Sequence, residues 1–187
     1  MRHVISALVM NEPGVLANVA GMFAARGFNI DSLVVGRTDK PELSRMTIVV
    51  SADDNTIDQV RKQLAKLVPI VEVNDFQGSA YIERDLALIS VGVPPEKRSE
   101  VIEVVTLFRG KVVDVSEAGV IVELAGTEDK IEAFIELMKP YGIKALARTG
   151  VIAMARGMQL GKETGTDGPK RRTRSLDAPA TAALPPS

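Results

Sequence analysis

The residues best suited to chemistry in this sequence lie where the first apolar strand meets the first helix. Residues 4–10 are apolar except for Ser6, and Asn-Glu-Pro-Gly-Val-Leu at residues 11–16 leads from them into a helical pattern. The first turn of a helix leaves backbone N–H groups without intrahelical partners, and the helix dipole places positive charge there. Such an end is a natural seat for a carboxylate. With the side-chain amides of Asn11 and Asn29 available, this junction predicts a binding site for a small amino acid.

Nothing in the sequence indicates that a bound amino acid would react. The chain has no cysteine and a single histidine, His3, which lies in the first apolar strand, where a structural role is more common than a catalytic one. The sequence contains no phosphate-binding glycine loop and no motif of the serine hydrolases or zinc proteases. We therefore expect a binding protein without catalytic residues and without a metal site.

Turn chemistry alone is the competing explanation for the first junction, because Asn, Pro and Gly are common in any strand-to-helix turn. Asn29 favours the binding interpretation, since it follows Gly27, where the first helix ends, and opens the second strand. In the topology predicted below, that strand lies at a sheet edge, where a second copy can approach. A site shared between two copies would couple ligand binding to dimer geometry.

Two alternating periodicities predict the elements that position this site. Apolar residues at helical spacing alternate with short apolar strands in the order β-α-β-β-α-β over residues 1–77, and the order recurs over residues 78–157. We call these segments the first and second repeat. Each predicts a ferredoxin-like unit, so the fold class is α+β, with two helices on one face of each antiparallel sheet. The second helix is expected to begin near Asn55 or Thr56, and residues 143–154 are expected to form one last extended segment.

The second repeat differs from the first at the equivalent junction. Pro94 and Pro95, which are expected to begin the third helix, stand there with Glu96, and the Asn and Gly of the first repeat are absent. Each proline lacks an N–H donor, and the carboxylate of Glu96 would repel another carboxylate. We therefore do not expect the second repeat to bind the same ligand.

Bulk composition limits the class of protein. The chain has 187 residues, of which 45% are hydrophobic and 25% charged, and its net charge is −1, which is an ordinary globular profile. The near-neutral charge argues against nucleic-acid binding, and an aromatic content of 4% argues against an RNA-binding sheet. No apolar run reaches the ~20 residues that cross a bilayer, and no secretion signal precedes the first strand. We therefore expect a cytoplasmic protein that binds neither nucleic acid nor membranes.

The composition changes after residue 157. Gly, Thr, Pro, Ala and Ser dominate residues 158–187 and apolar periodicity stops, which predicts a disordered tail. The tail carries a basic cluster. We expect this cluster to keep the terminus soluble, and contact with an acidic partner surface or nucleic acid is the less favoured alternative. The cluster consists of Lys170, Arg171, Arg172 and Arg174.

These segments together resemble a known family. The β-α-β-β-α-β unit with a glycine at its first junction resembles the ACT domain, a regulatory module that binds amino acids at dimer interfaces. Up to about residue 157, the chain resembles more closely the small regulatory subunit of acetolactate synthase (acetohydroxyacid synthase). The likeness rests on Asn-Glu-Pro-Gly-Val-Leu at 11–16, Arg-Gly-Phe-Asn-Ile-Asp-Ser-Leu at 26–33, Thr38-Asp39, Leu-Ser-Arg-Met-Thr-Ile at 43–48, Phe-Arg-Gly-Lys-Val-Val-Asp-Val at 108–115, Leu-Ala-Gly-Thr at 124–127 and Arg-Thr-Gly-Val at 148–151.

The resemblance implies a homodimeric regulatory subunit that raises the activity of a large catalytic subunit and makes it sensitive to valine, or to leucine or isoleucine. That partner would use thiamine diphosphate, magnesium and FAD, whereas this chain would bind no cofactor. The second repeat would serve dimerisation or contact with the catalytic subunit. The sequence does not rank the three effectors, because one methylene in an apolar pocket is worth only ~1–3 kcal/mol.

The resemblance also assigns the effector site by position. The two asparagines would hold the polar groups of the effector, residues 14–16 would offer backbone N–H groups to its carboxylate, and an isoleucine would line the side-chain pocket. Pro13 stands where some relatives carry a small polar residue, and this difference removes no assigned donor. The implied site consists of Asn11, Gly14, Val15, Leu16, Asn29 and Ile30.

Two other classes of function stay open at this point. A free-standing ACT-type sensor would control another enzyme or a transcription factor, and it would show no affinity for a large subunit of acetolactate synthase. An enzyme in its own right is disfavoured, because the sequence has no cofactor motif and no pairing of a nucleophile with a base.

Overall fold

The computed structural model describes residues 1–157. The predicted disordered tail and its basic cluster lie outside the described residues. None of the helices within the described range is long and apolar enough to cross a membrane. The elements in chain order are β1 (Arg2–Met10), α1 (Val15–Ala24), β2 (Ser32–Arg37), β3 (Leu43–Ser51), α2 (Asp54–Leu64), β4 (Ile70–Asp75), β5 (Tyr81–Val91), α3 (Arg98–Leu107), β6 (Lys111–Ser116), β7 (Gly119–Gly126), α4 (Glu128–Met138), β8 (Ile143–Arg148) and β9 (Ile152–Ala155).

The first repeat forms an antiparallel sheet with the strand order β2-β3-β1-β4, which confirms that the second strand lies at an edge. Alternate residues of the strands face α1 and α2, because successive side chains of a strand point to opposite sides of the sheet. We call the side without these helices the outer face. The core between sheet and helices consists of Ile5, Ala7, Val9, Val15, Val19, Met22, Phe23, Met46, Ile48, Val50, Ile57, Val60 and Leu64.

The second repeat forms the corresponding sheet, with the order β6-β7-β5-β8. The rings of Phe108 and Phe134 meet edge to face there, with centroids 5.4 Å apart, and Phe134 is fully buried. The α+β fold with two ferredoxin-like units is therefore confirmed. The second core consists of Ala87, Ile89, Val91, Val93, Val101, Val105, Val120, Val122, Leu124, Ile131, Phe134, Ile135 and Met138.

Two helices begin at positions that differ from the sequence prediction. The Asp53 side chain accepts the N–H of Thr56 at 2.9 Å and so caps α2, which begins at Asp54. Asp caps a helix as well as Asn does, and the residue with the extended backbone conformation of a cap is Asp53, which precedes both expected positions. A 3-10 turn at Pro95–Lys97 delays α3, which begins at Arg98 and not at the two prolines.

The last extended segment is two strands that belong to different pairings. β8 pairs with the C-terminal half of β5, whereas β9 pairs with the N-terminal half. The chain turns between the two strands at Gly150, where φ is +83°. β9 and the turn before it cover part of the outer face of the first sheet, through a small apolar cluster of Val4, Val49, Phe76, Val151 and Ala153.

A buried carboxylate fixes the end of β8. The side chain of Asp85 is only 1% exposed and accepts hydrogen bonds from the guanidinium of Arg148 at 2.5 and 2.8 Å. Arg148 also pairs with Glu132 on α4. These hydrogen bonds outweigh the effect of burial and raise the pKa of Arg148. A buried carboxylate needs such partners, because an unpaired charge is costly in the interior.

Candidate effector-binding site

The N-terminus of α1 is open and exposed. Gly14 precedes the helix with φ 84° and ψ −12°, and a Cβ placed there would meet nothing within 4 Å. The first close bond of the helix joins Asn18 N–H to the Gly14 carbonyl at 2.9 Å. The N–H of Val15, one of the expected donors, lies 3.5 Å from the Glu12 carbonyl, whereas the N–H groups of Leu16 and of Ala17, which was not among them, have no backbone partner among the described residues. These donors are therefore available to an anion.

The chain does not compensate the positive end of this helix. Among the four helices of residues 1–157, α1 alone has neither a side-chain cap nor an acidic residue in its first turn. By contrast, α2 is capped by Asp53, and the first turn of α4 carries Glu128 and Asp129. The helix dipole favours negative charge at this position, so α1 offers an uncompensated site for a carboxylate.

Asn11 is held by the loop between β2 and β3. Its backbone N–H donates to the Glu42 carbonyl at 2.8 Å, and its Nδ2 donates to the Pro41 carbonyl at 2.9 Å. The residue is exposed, and its Oδ1 accepts no hydrogen bond from the described part of the chain. Asn11 therefore presents an acceptor, which suits the ammonium group of an amino acid.

Asn29 is held in a similar way at the start of β2. Its Nδ2 donates to the Asp31 carboxylate at 3.0 Å, and Asp31 also accepts the Ser51 hydroxyl at 2.7 Å. Asn29 is exposed, and its Oδ1 has no donor within residues 1–157. Sequence reasoning did not identify Pro41 and Asp31 as the groups that orient the two asparagines, although both lie in or beside segments that carry the resemblance.

The structure does not bring Asn11 and Asn29 of one chain together. The N–H of Asn11 is hydrogen-bonded to the carbonyl of the residue directly before β3. Two residues after Asn29, the N–H of Asp31 is hydrogen-bonded to the Val49 carbonyl near the other end of β3. Six residue steps of strand, from Leu43 to Val49, separate the two levels, which at ~3.3 Å per residue is about 20 Å. A site that contains both asparagines therefore requires two chains.

The remaining predicted residues divide between core and surface. Val15 is buried, Ile30 is half-buried against the first core, and Leu16 is 47% exposed. Gly14 and Leu16 lie at the end of the sheet that holds Asn11, because α1 begins directly after β1 ends. Ile30 lies beside Asn29, before the start of β2.

An open cavity of about 330 Å³ lies in the second repeat, at the junction where the sequence argues against a ligand. The Tyr141 hydroxyl donates to Glu100 at 3.2 Å, and burial together with this hydrogen bond raises the pKa of Tyr141. The carboxylate of Glu100 disfavours an anion in this cavity. Its lining residues are Pro94, Lys97, Glu100, Pro140 and Tyr141.

The fold and the free helix end define a protein of two tandem ACT-type domains. Residues 5–72 match the family described as the AHAS small subunit-like ACT domain, and residues 84–157 match the small subunit of acetolactate synthase. The chain is 55% identical over 157 residues to a probable acetolactate synthase small subunit of Archaeoglobus fulgidus, covering 84% of this chain and 98% of that protein. The chain belongs to the family of acetolactate synthase small subunits.

Other relatives agree with this assignment. The acetolactate synthase small subunit of Aquifex aeolicus is 48% identical over 163 residues, which are 87% of this chain and 85% of that protein. The crystal structure of the small subunit from Thermotoga maritima aligns with a TM-score of 0.78 and 45% identity. That alignment covers 84% of this chain and 98% of the Thermotoga chain. Both repeats of the chain thus have counterparts in these relatives.

Proposed function

We propose that this chain is a cytoplasmic, non-catalytic regulatory subunit of acetolactate synthase that confers valine inhibition on a large catalytic subunit and raises its activity. The effector binds between two copies of the chain, with its carboxylate at the N-terminus of α1 in one copy and its ammonium group at the asparagines. Leucine and isoleucine are the alternative effectors. The partner supplies thiamine diphosphate, magnesium and FAD, and this chain supplies none of them.

The observation that carries this proposal is the separation of the two asparagines along β3. If two copies pair antiparallel through β2 about a two-fold axis at Val34, Asp31 of one copy lies opposite Arg37 of the other. The segment with Asn29 then reaches the end of the sheet that holds Asn11 and Gly14 of the other copy. One symmetric contact therefore completes two equal sites.

A comparison of β2 with the outermost strands β4, β6 and β8 of the two strand orders supports β2 as the contact. The pairing of β2 with β3 is regular throughout, whereas register shifts interrupt the pairings of β4, β6 and β8 with their neighbours. Bulges at sheet edges discourage pairing with another chain. Among these four strands, β2 is thus the edge best suited to receive a second strand.

Charge and surface composition support the same contact. Asp31 directly precedes β2 and Arg37 ends it, so the antiparallel arrangement places unlike charges beside each other at both ends. Helix α1, which leads into β2, contains no charged residue, and its exposed positions include Leu16, Ala17 and Gly21. A helix face that met only water would normally be polar.

The groups at the site fit a small amino acid in number and type. Two helix N–H groups match the carboxylate, and two side-chain oxygens match the ammonium group. Each hydrogen bond to a charged group is worth about 1.5–3 kcal/mol. Ordering of the ligand and of the two chains offsets part of this energy, so an affinity of roughly 4–8 kcal/mol, or millimolar to micromolar, is expected.

The test is a valine titration of acetolactate formation by the large subunit reconstituted with the full chain. We expect the wild-type chain to raise activity without valine and to allow inhibition with valine. Asn29→Ala should raise the valine concentration for half-inhibition at least about tenfold, since it removes one charged hydrogen bond.

Asn74→Ala is the matched control, because Asn74 also donates its amide to a carboxylate two residues away but lies on β4, at the other edge of the sheet. Equal effects of the two variants would contradict the assigned site. A wild-type chain that neither binds nor affects the large subunit would instead favour the free-standing sensor.

A further inference from the structure

The turn between β8 and β9 lies directly against the outer face of β2. A Cβ on Gly150 would stand 2.6 Å from Ser32 Oγ and 2.8 Å from Val34 Cγ2, which is closer than real Cβ contacts. The N–H of Val151 donates to Ser32 Oγ at 3.1 Å. The second repeat therefore touches the middle of the proposed dimer strand, at a contact that leaves no room for a side chain.

The second repeat holds this turn firmly. The Thr149 hydroxyl donates to buried Asp85 at 3.2 Å, and the N–H of Leu86 donates to the Thr149 hydroxyl at 3.1 Å. The N–H of Thr149 donates to the Leu86 carbonyl at 2.9 Å. With the Arg148–Asp85 pair beside it, the turn is fixed to β5 and moves only if the second sheet moves.

A second link joins the repeats on the same outer face. Arg2 of β1 pairs with Glu83 of β5 at 3.0 Å and with Glu128 of α4 at 2.7 Å. These side chains are partly exposed, and exposed ion pairs contribute little energy and tolerate displacement. The steric contact at Gly150 is the stiffer of the two links, because packed atoms cannot approach further.

We propose that the Thr149–Gly150–Val151 turn is a positioning contact that couples the second repeat to the β2 edge, and so to effector binding. The inference rests on the proposed function, in which β2 assembles the effector site. Val34 lies at the centre of the proposed pairing, so a displacement of the turn shifts both copies of β2. By linkage, an effector that fixes β2 also fixes the turn and the second repeat behind it.

The experiment compares Gly150→Ala with Gly78→Ala in the full chain. Gly78 has φ +71° and open space around a new Cβ, so its variant shares the backbone strain without the contact. Hydrogen exchange measures protection of the β2 amides, and the reconstituted enzyme measures valine inhibition. Gly150→Ala should lower β2 protection at least about tenfold and raise the half-inhibiting valine concentration about fivefold or more, with Gly78→Ala changing neither.

Two further variants separate the contact from general damage. The double substitution Ser32→Ala and Val34→Ala removes the two atoms that a Cβ at residue 150 would meet. When it is combined with Gly150→Ala, it should restore most of the β2 protection that Gly150→Ala alone loses. Ser32→Ala alone removes the acceptor of Val151 N–H and should lower β2 protection to a smaller extent, even if Gly150→Ala folds poorly.

The outcomes distinguish this inference from the proposed function. Equal behaviour of the Gly150 and Gly78 variants would overturn the inference, as would lost β2 protection with unchanged valine inhibition. If valine fails to inhibit the wild-type enzyme, the proposed function fails and the coupling to an effector fails with it. The exchange data would then still decide whether the turn holds β2.

Discussion

Replacing Gly14 with aspartate should make the reconstituted enzyme less sensitive to valine. Gly14 has φ 84°, where a residue with a Cβ costs roughly 1–2 kcal/mol, although aspartate tolerates this conformation better than most. A Cβ at Gly14 meets no atom within 4 Å, so the variant should fold. The new carboxylate would then stand in the open space before the helix, where the effector carboxylate is proposed to bind.

The expected loss of affinity follows from the repulsion between two carboxylates. At a separation of about 4 Å, like charges repel by about 1 kcal/mol in water and about 4 kcal/mol at an effective dielectric constant of 20. These energies correspond to roughly 5-fold and 1,000-fold weaker binding. We expect a loss between these two limits, of at least ~10-fold.

The assay is the valine concentration for half-inhibition of acetolactate formation, measured with wild-type chain, Gly14→Asp and the control Gly78→Asp. The control adds the same charge at another glycine with positive φ and open space. Size-exclusion chromatography with the large subunit checks that assembly is intact. Half-inhibition of Gly14→Asp at the wild-type valine concentration would refute the placement of a carboxylate at this helix.

Three further predictions concern the stability of the chain. Phe134→Ala should lower the free energy of unfolding by about 3–5 kcal/mol in a denaturant titration, because the ring is fully buried. Asp85→Asn should lower it by about 3 kcal/mol, since Arg148 loses its buried partner but keeps Glu132. Hydrogen bonds from Thr56 hold the pKa of Asp53 below its usual value. The stabilisation by the ionised Asp53 side chain is therefore complete above the unfolded pKa and is lost as pH falls through the folded pKa. Asp53→Asn keeps the capping oxygen and should therefore reduce the acid sensitivity below about pH 4 with little change near pH 7.

The repeated β-α-β-β-α-β order was readable from sequence because each helix has a continuous apolar stripe. Residues such as Val15, Val19 and Phe23 recur at helical spacing and are all buried in the first core. The edge position of β2 followed from the same topology and is confirmed. The start of α2 was less accessible, since several residues before it are good caps and only the backbone conformation selects Asp53.

The contacts between the repeats were not readable from sequence. Residues 81–84 are two apolar residues followed by two charged ones, which is not a strand pattern, and the partner of this half-strand is β9, which lies about 70 residues later. Gly150 is an ordinary turn residue by sequence, and only the structure shows that Ser32 and Val34 exclude a side chain there. Buried Asp85 was missed for the same reason, because its partner Arg148 is distant in the chain.

The candidate site was partly accessible from sequence. The helix start at Gly14 and the two asparagines were identified by residue type and position, and the structure gives the free N–H groups and the free side-chain oxygens. The distance between Asn11 and Asn29 depends on the direction of β3 and on the strand order. Because of that geometry, a site that contains both asparagines needs two copies of the chain.

In the proposed dimer, each effector site combines Asn11 of one copy with Asn29 of its partner, and a mixture of two variants tests this arrangement. Asn11→Ala and Asn29→Ala are each expected to weaken valine binding, so neither homodimer should bind at wild-type affinity in calorimetry. After subunit exchange, about half of the dimers contain one chain of each kind, and each of these has one intact site. We predict that about a quarter of all sites regain wild-type affinity. Recovery of no wild-type sites in a mixture shown to exchange would contradict the shared site.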